Sequence, residues 1–468
     1  MNIAWEEQQV LLKQRDTVHR SPLNVILWAL GQFAVEVPTE FTHRINTIFI
    51  ALLIQNGLQY VDSLAIYSSV ILCCAIIGGL VNLLFISYCV RFGRKKIAIF
   101  FISLFYFALV LVACWTNNVV AFAILLFFSS WITQSPAAMH GSQIPFISSI
   151  DLHQFADHLS ILISTLVNFL YIYMKRAFSF ASFFSLNGQA LSKLQNGVEL
   201  EKPIGTYAVM TGIIILAIIL LIPYMFVKEH VSKPPIKNFK YNAIYIFNNF
   251  KIVLGEMVRD KNFILFLVCI IGLQYSSLYT STLFYTVQSD IYHVTNYSLS
   301  IKENTYFYTS VLAIGITPII LHKFGPRMML VIILICTLVL QCFLQIEVIN
   351  SNFGYIAIIF GGFAGASTNV TLRRFVYENS TYDTISMHYG VVYILTRVLN
   401  SLTTLFSIIY QLQENDLFYI RFFAVVTIFF VLTIIGLVCV IFLNDHHEEY
   451  SVGLRPPYIK NKIIVEKE

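Results

Sequence analysis

Charge is what this sequence has least of. Of its 468 residues only 12% are Asp, Glu, Lys or Arg, against 57% hydrophobic, and the mean hydropathy is +0.73. A water-soluble fold of this length needs far more charge to cover its surface, so the apolar excess must face lipid. The recurrent catalytic motifs are also missing. The sequence holds no G-x-x-x-x-G-K-[ST] to cradle a phosphate, no H-E-x-x-H and no G-x-S-x-G. No enzymatic activity, cofactor, resident metal or nucleic-acid partner is expected. His446-His447 is the one pair that invites a metal, and it reads instead as part of a solvated acidic tail. The eight cysteines all lie within or beside apolar segments, which leaves none for disulfides between outer loops. The first twenty residues lack the cationic start, apolar run and small-residue site of a signal peptide, so the first span is expected to direct insertion.

What is present is a series of apolar runs long enough to cross a bilayer as helices, since isolated strands cannot satisfy their backbone in lipid. Twelve spans are predicted: 23–46, 66–89, 97–115, 119–148, 158–182, 205–227, 262–286, 305–321, 328–347, 353–371, 386–411 and 418–443. The run from 119 to 148 is long and interrupted by Pro136 and Pro145. The division that follows is an N-terminal tail (1–22), a six-helix bundle (23–227), an interfacial linker (228–261), a second six-helix bundle (262–443) and a C-terminal tail (444–468). The linker contains an amphipathic stretch, Tyr241 to Met257. With both termini inside, the segments 1–22, 90–96, 149–157, 228–261, 322–327, 372–385 and 444–468 hold 22 of the 30 Lys and Arg. That bias predicts cytoplasmic termini. Asn296-Tyr297-Ser298 then lies outside as a glycosylation candidate.

The two halves share a feature. Arg91-Phe92-Gly93-Arg94-Lys95-Lys96 follows the second span, and Lys323-Phe324-Gly325-Pro326-Arg327 follows the eighth. Both are short, basic turns centred on a glycine, whose backbone freedom suits a tight reversal. Their cations suit anionic headgroups and the carbonyls at helix C-termini. Duplication of this kind belongs to transporters. Here the chain resembles the major facilitator superfamily, whose loops after helices two and eight carry G-x-x-x-D-R-x-G-R-[RK]. Arg91, Gly93, Arg94 and Lys95 fit, whereas Val90 replaces the acid and Ile86 the first glycine. In that superfamily the acid helps latch the two halves, so the latch here is expected to be weaker or built differently.

Within the superfamily the chain looks like solute carrier family 46, the proton-coupled folate transporter and its relatives. The likeness rests on Pro22-Leu23 through Pro38 to His43-Arg44, on Ile150-Asp151-Leu152, on Val398-Leu399-Asn400-Ser401-Leu402, on Ile409-Tyr410 and on Arg421-Phe422-Phe423. The folate transporter's coupling residues, a fifth-helix glutamate, a seventh-helix histidine and a tenth-helix arginine, have no counterparts near Ile163-Ser164, Ile270 and Asn369. The resemblance therefore implies a related but different substrate.

Charge inside the apolar spans is costly, at least about 2.5–3.5 kcal/mol for each ion. Arg397 falls mid-span, with Tyr389, Tyr393, Asn400 and Thr404 on the same helical face. This stripe is expected to line a polar cavity, where the arginine holds either an anion or an acid from another helix. Gln32, Glu36 and Glu40 share a face of the first span. Glu36 is a candidate proton carrier or a partner of Arg397. His140 is a second proton-coupling candidate, weighed against a packing role. Gln274, Tyr275 and Tyr279 offer hydrogen bonds from the seventh span. Lys175 and Arg176 either snorkel or meet an anion.

The expectation is an all-α membrane protein of the major facilitator fold, monomeric, in the plasma or endolysosomal membrane. It would move a small organic anion or zwitterion by alternating access, with coupling to protons. The alternatives are a transport-inactive receptor or scaffold that retains the fold, and a channel.

Overall fold

The computed structural model describes residues 21–58, 60–91, 95–116, 118–132, 134–177, 204–229, 239–279, 296–347, 350, 352–380, 384–411 and 418–447. Among them the regular structure is helical throughout. The first half runs α1 (Pro22–Gln55), α2 (Tyr60–Arg91), α3 (Lys95–Thr116), α4 (Val119–Ile132), α5 (Gln134–Gly141), α6 (Ile144–Ile147), a short turn at Ile150–Leu152, α7 (His153–Ala177) and α8 (Ile204–Tyr224). Helix α9 (Phe239–Arg259) joins it to α10 (Lys261–Tyr279), α11 (Asn296–Glu347), α12 (Phe353–Asn379), α13 (Ile385–Gln411) and α14 (Phe418–Ile441).

Proline explains the broken fourth span. Pro136 and Pro145 each fall in the first turn of a new helix, α5 and α6, where the missing N–H has no carbonyl to serve. Pro38 lies inside α1, and the hydroxyl of Tyr106 on α3 donates to its carbonyl at 3.2 Å. Two expected spans fuse in α11, which turns at Gly325. There φ is 80° and ψ is 172°, a conformation that a side chain resists. Pro326 then starts the second leg.

Five helical stretches among the described residues are long and apolar enough to cross a membrane: 65–89, 95–116, 207–224, 304–346 and 353–379. Outward-facing Ile77, Phe101, Val112, Ile219, Leu312 and Phe442 are exposed. So much contiguous apolar surface is satisfied by acyl chains and not by water. The protein is a multi-pass membrane protein.

The halves meet chiefly where α2 packs on α13 and where α7 packs on α11. At the first seam the fit is reciprocal. Ile394 of α13 fills the space over Gly79, and Leu83 of α2 fills the space over Gly390. A Cβ at either glycine would come within 2.7–2.8 Å of those side chains, so two backbones approach closely there.

The turn at Gly325 makes its own prediction. A Cβ at that position would lie 2.7 Å from His447 and 2.8 Å from Asp445. Gly325→Ala combines this overlap with a backbone penalty of about 1–3 kcal/mol. The thermal unfolding midpoint of the purified protein should fall clearly, and an unchanged midpoint would contradict the strained turn.

Candidate functional site

Helix α1 sets out the site. Asn24, Trp28, Gln32 and Glu36 recur every fourth residue, so they form one stripe from the end near Gly325 toward the middle of the protein. That end is called inner here, in the orientation the positive charges predict. Each member of the stripe has an interior partner. Asn24 Nδ2 donates to the Ile147 and Lys228 carbonyls at 2.7 and 3.0 Å. Trp28 Nε1 donates to the His140 carbonyl at 3.1 Å. Gln32 Nε2 donates to the Ser160 carbonyl, to Ser164 Oγ and to Glu36 Oε1, each at 3.2 Å. Ser164 Oγ also donates to Glu36 Oε1 at 3.2 Å. The carboxylate of α1 is thus fixed against α7, in the place where the fifth helix itself carries Ser164.

Arg397 enters from α13. Its electrostatic neighbours are Tyr393, Tyr106, Tyr67 and Glu36, drawn from four helices of the two halves. Tyr389 and Tyr393 continue the same α13 face toward the inner end, with ring centroids 5.1 Å apart. Neither Glu36 nor Arg397 is aimed at lipid. An arginine, a carboxyl and several phenols therefore share one interior space between the halves. That set can bind an organic ion and exchange a proton.

His140 is placed differently from these groups. It is 2% exposed, stacked on Trp28 with centroids 4.6 Å apart, and its Nε2–H donates to the Trp28 carbonyl at 3.0 Å. Tyr224 closes over it at 5.5 Å. These contacts give it a packing role beneath the polar site. Gly93 and Arg94 lie outside the described residues, as do the side chains of Arg91, Lys175, Arg176, Gln274, Tyr275, Tyr279, Asn296 and Asn400.

A second layer of charge lies about 10 Å closer to the inner end, taking Asp157 and Ser164 as seven residues apart on α7. Asp157 of the first half receives Arg373 Nη2 at 3.0 Å and the Tyr377 hydroxyl at 3.3 Å. Arg374 Nη1 stands 3.7 Å from its other oxygen. Arg374 Nε donates to Glu378 at 2.5 Å, and Arg373 Nη1 donates to Ser160 Oγ at 2.9 Å. Asp157 and Glu378 are each 1% exposed. Two carboxylates and two guanidiniums balance, and the pair that matters mechanically spans the two halves. Ser142 and Ser386 add a further bond between the halves at 2.8 Å. The inner end is closed.

Sequence reasoning missed this layer because 149–157 and 372–385 read as solvated inner segments. Helix α12 instead continues through Asn379 and keeps Arg373, Arg374 and Glu378 buried. The signal available was the i,i+4 spacing of Arg374 and Glu378, which favours helix continuation. The tail is likewise corrected. His447 is only 9% exposed and bonds Glu378. It is held by protein contacts and is not solvated.

The basic turns have definite partners. Lys96 Nζ donates to the Val227 and Met225 carbonyls after α8. Arg327 Nε and Nη2 donate to the Val440 and Ile441 carbonyls of α14, at 3.2 and 2.6 Å. Each half's basic turn therefore caps that half's last helix. Lys95 is buried, with its ammonium 4.1 Å from the centre of the Phe146 ring. Lys323 is exposed.

No protein-family model matches the chain, and no curated protein matches its sequence. Solved structures do match. The outward conformation of FucP, a major facilitator superfamily transporter, is similar at a TM-score of 0.60 and 11% identity, over 89% of this chain and 98% of that one. The human organic anion transporter MFSD10 gives 0.59 and 12%, over 90% and 100%. The xylose transporter XylE from E. coli, partially occluded and inward open, gives 0.55 and 12%, over 90% and 97%. At such identities the likeness is one of fold: the chain has the major facilitator fold.

Asp157→Asn would leave Arg373 and Arg374 facing an uncharged amide in a buried layer. Removing one partner of a buried ion pair costs about 3–5 kcal/mol. The variant should unfold at a markedly lower temperature than wild type, with Asp157→Glu losing less. Equal midpoints for wild type and Asp157→Asn would show that the layer is not a structural ion cluster.

Proposed function

We propose that the protein is a secondary active transporter that moves a small organic anion or zwitterion by alternating access, coupled to protons. The observation that carries this reading is the interior pair of Glu36 and Arg397, brought together from opposite halves above a closed inner end. Two rigid halves with a charged site between them and a breakable ion cluster at one end are what a rocking mechanism requires. The likeness of fold to a human organic anion transporter supports the choice of solute. So does the resemblance to solute carrier family 46.

The coupling follows from competition for Arg397. In the empty site the guanidinium and the Glu36 carboxylate offset each other's field. A solute carboxylate that takes Arg397 leaves Glu36 as an uncompensated charge in a poorly solvated space, and a proton neutralises it. Solute and proton then enter and leave together. Gln32 and Ser164 hold Glu36 in place through both states.

Arg397→Ala tests the solute site. Uptake of candidate organic anions into proteoliposomes should fall at least about tenfold, the effect of losing one charge-assisted bond of about 1.5–3 kcal/mol. Protein yield and fold should persist. Undiminished uptake would remove Arg397 from the mechanism. Solute-dependent thermal stabilisation without any uptake would instead favour the transport-inactive receptor.

Glu36→Gln tests the coupling. The amide keeps the bonds to Gln32 and Ser164 but carries no exchangeable charge. Solute exchange between the two sides should survive, while accumulation driven by a pH gradient should vanish. Accumulation that still follows the gradient would place the coupling group elsewhere.

A further inference from the structure

His447 sits between α12 and the turn of α11. Its Nδ1 lies 3.2 and 3.1 Å from the two oxygens of Glu378, and its Nε2 lies 3.2 Å from the His322 carbonyl. Both nitrogens thus face acceptors. A backbone carbonyl has no proton to give, and the Glu378 carboxyl already accepts from Arg374 Nε. Neutral imidazole carries one N–H and satisfies one of these partners, leaving a lone pair against an oxygen at the other. Imidazolium satisfies both. The hydrogen-bond count alone selects the protonated ring.

The surrounding charges act in both directions. Glu378 and Arg374 face the ring from α12, with Asp157 of α7 beyond them. His322, Lys323 and Arg327 belong to the α11 turn, and Asp445 and His446 to the ring's own segment. Asn262, beside Asp260 at the start of α10, holds Asn444 by two bonds of 2.8 and 2.9 Å. Burial works against a charged ring and Arg374 repels it, but the bond and charge of Glu378 outweigh both. They hold the histidine above its ordinary value of 6.5.

We infer that His447 is a titratable positioning residue of the inner gate, which sets the strength of the ion pairing between the halves through Glu378. When protonated, it satisfies Glu378 from the far side and leaves Arg374 directed at Asp157. When neutral, it leaves Arg374 as the only cation among the described residues bonded to Glu378, and the guanidinium is drawn away from the other half. Arg374 reaches both carboxylates at once through different nitrogens, Nε toward Glu378 and Nη1 3.7 Å from Asp157.

The sign follows from the raised value. The stabilisation is complete below the ordinary histidine pKa and is lost as pH rises through the higher, folded-state one. The inner end is therefore held most firmly in acid and loosens as the pH rises through the folded-state value. In a proton-coupled importer, protons accumulating inside would slow the next opening. This consequence rests on the transport reading, whereas the pH response of the gate does not.

Hydrogen exchange on the full chain in lipid nanodiscs, with no solute, tests it. Peptides covering 153–160 and 373–380 are followed from about pH 6 to about pH 8 and corrected for the intrinsic pH dependence of exchange. Wild type should lose protection in both peptides as the pH rises, in the direction that the raised His447 value sets. His447→Gln should stay at low protection across the range, and His447→Arg, which keeps the charge, at high protection. The inference is overturned by a wild type with no step, or by the same step in His447→Gln. Should the glutamine variant not fold, wild type against His447→Arg decides. Loss of uptake with the step intact would count against transport and not against His447.

Discussion

A charge in a poorly solvated interior has to find its counter-charge within the protein, and this constraint organises the whole molecule. In this fold neither half meets the requirement alone. The first half contributes Asp157 and Glu36, and the second contributes Arg373, Arg374 and Arg397. Each bundle is thus incomplete by itself, and closing them together is what satisfies both. A purely apolar seam would pack the halves as well, as Gly79 with Ile394 and Gly390 with Leu83 show. It would give no difference between a closed end and a hydrated open one. Ions supply that difference, because water can take over the role of the missing partner when the end opens.

The duplicated turns serve a separate purpose within each half. Lys96 donates to the carbonyls that follow α8, and Arg327 to those that end α14. The helix leg that follows each turn is thereby tied to its bundle's last helix. The charge of the first half that joins it to the second is Asp157, on α7. The division is mechanically sound. Cations of the turns hold each half rigid, and a different set of ions decides whether the halves are together.

Much of this architecture was legible from hydropathy alone. Runs of apolar residues have few ways to fold in a bilayer, and the paired glycine turns disclosed the repeat. Arg397 and Glu36 were visible for the same reason: an ion in an apolar run stands out. The second layer was not visible, because Asp157, Arg373, Arg374 and Glu378 sit just beyond apolar runs, where charges are usually solvated. Their burial depends on α12 continuing through Asn379 and on the other half arriving to cover them, a tertiary fact with only a weak local sign. His447 was hidden more completely. A histidine pair in an acidic tail has no periodicity to read, and its place depends on the space left free beside Gly325. His140 shows the converse, since a histidine among polar neighbours in sequence is buried against Trp28 and Tyr224.

The two layers share one residue, and through it the site and the gate are linked. Arg373 bonds Asp157 at the gate, and its charge also bears on Glu36 in the site above. Two unit charges within about 10 Å of each other in a medium of effective dielectric about 20 interact by ~1.7 kcal/mol or more. That falls in the range of coupling energies by which one site commonly alters another. An ionised Glu36 would attract Arg373 against its bonds to Asp157 and Ser160. When it is neutral the guanidinium belongs to the gate alone. On the proposed transport reading, the charge state of Glu36 would thus be felt at the inner end. No moving lever is needed for the occupancy of the site to bias the gate. It is enough that one guanidinium stands between two carboxylates and cannot serve both fully.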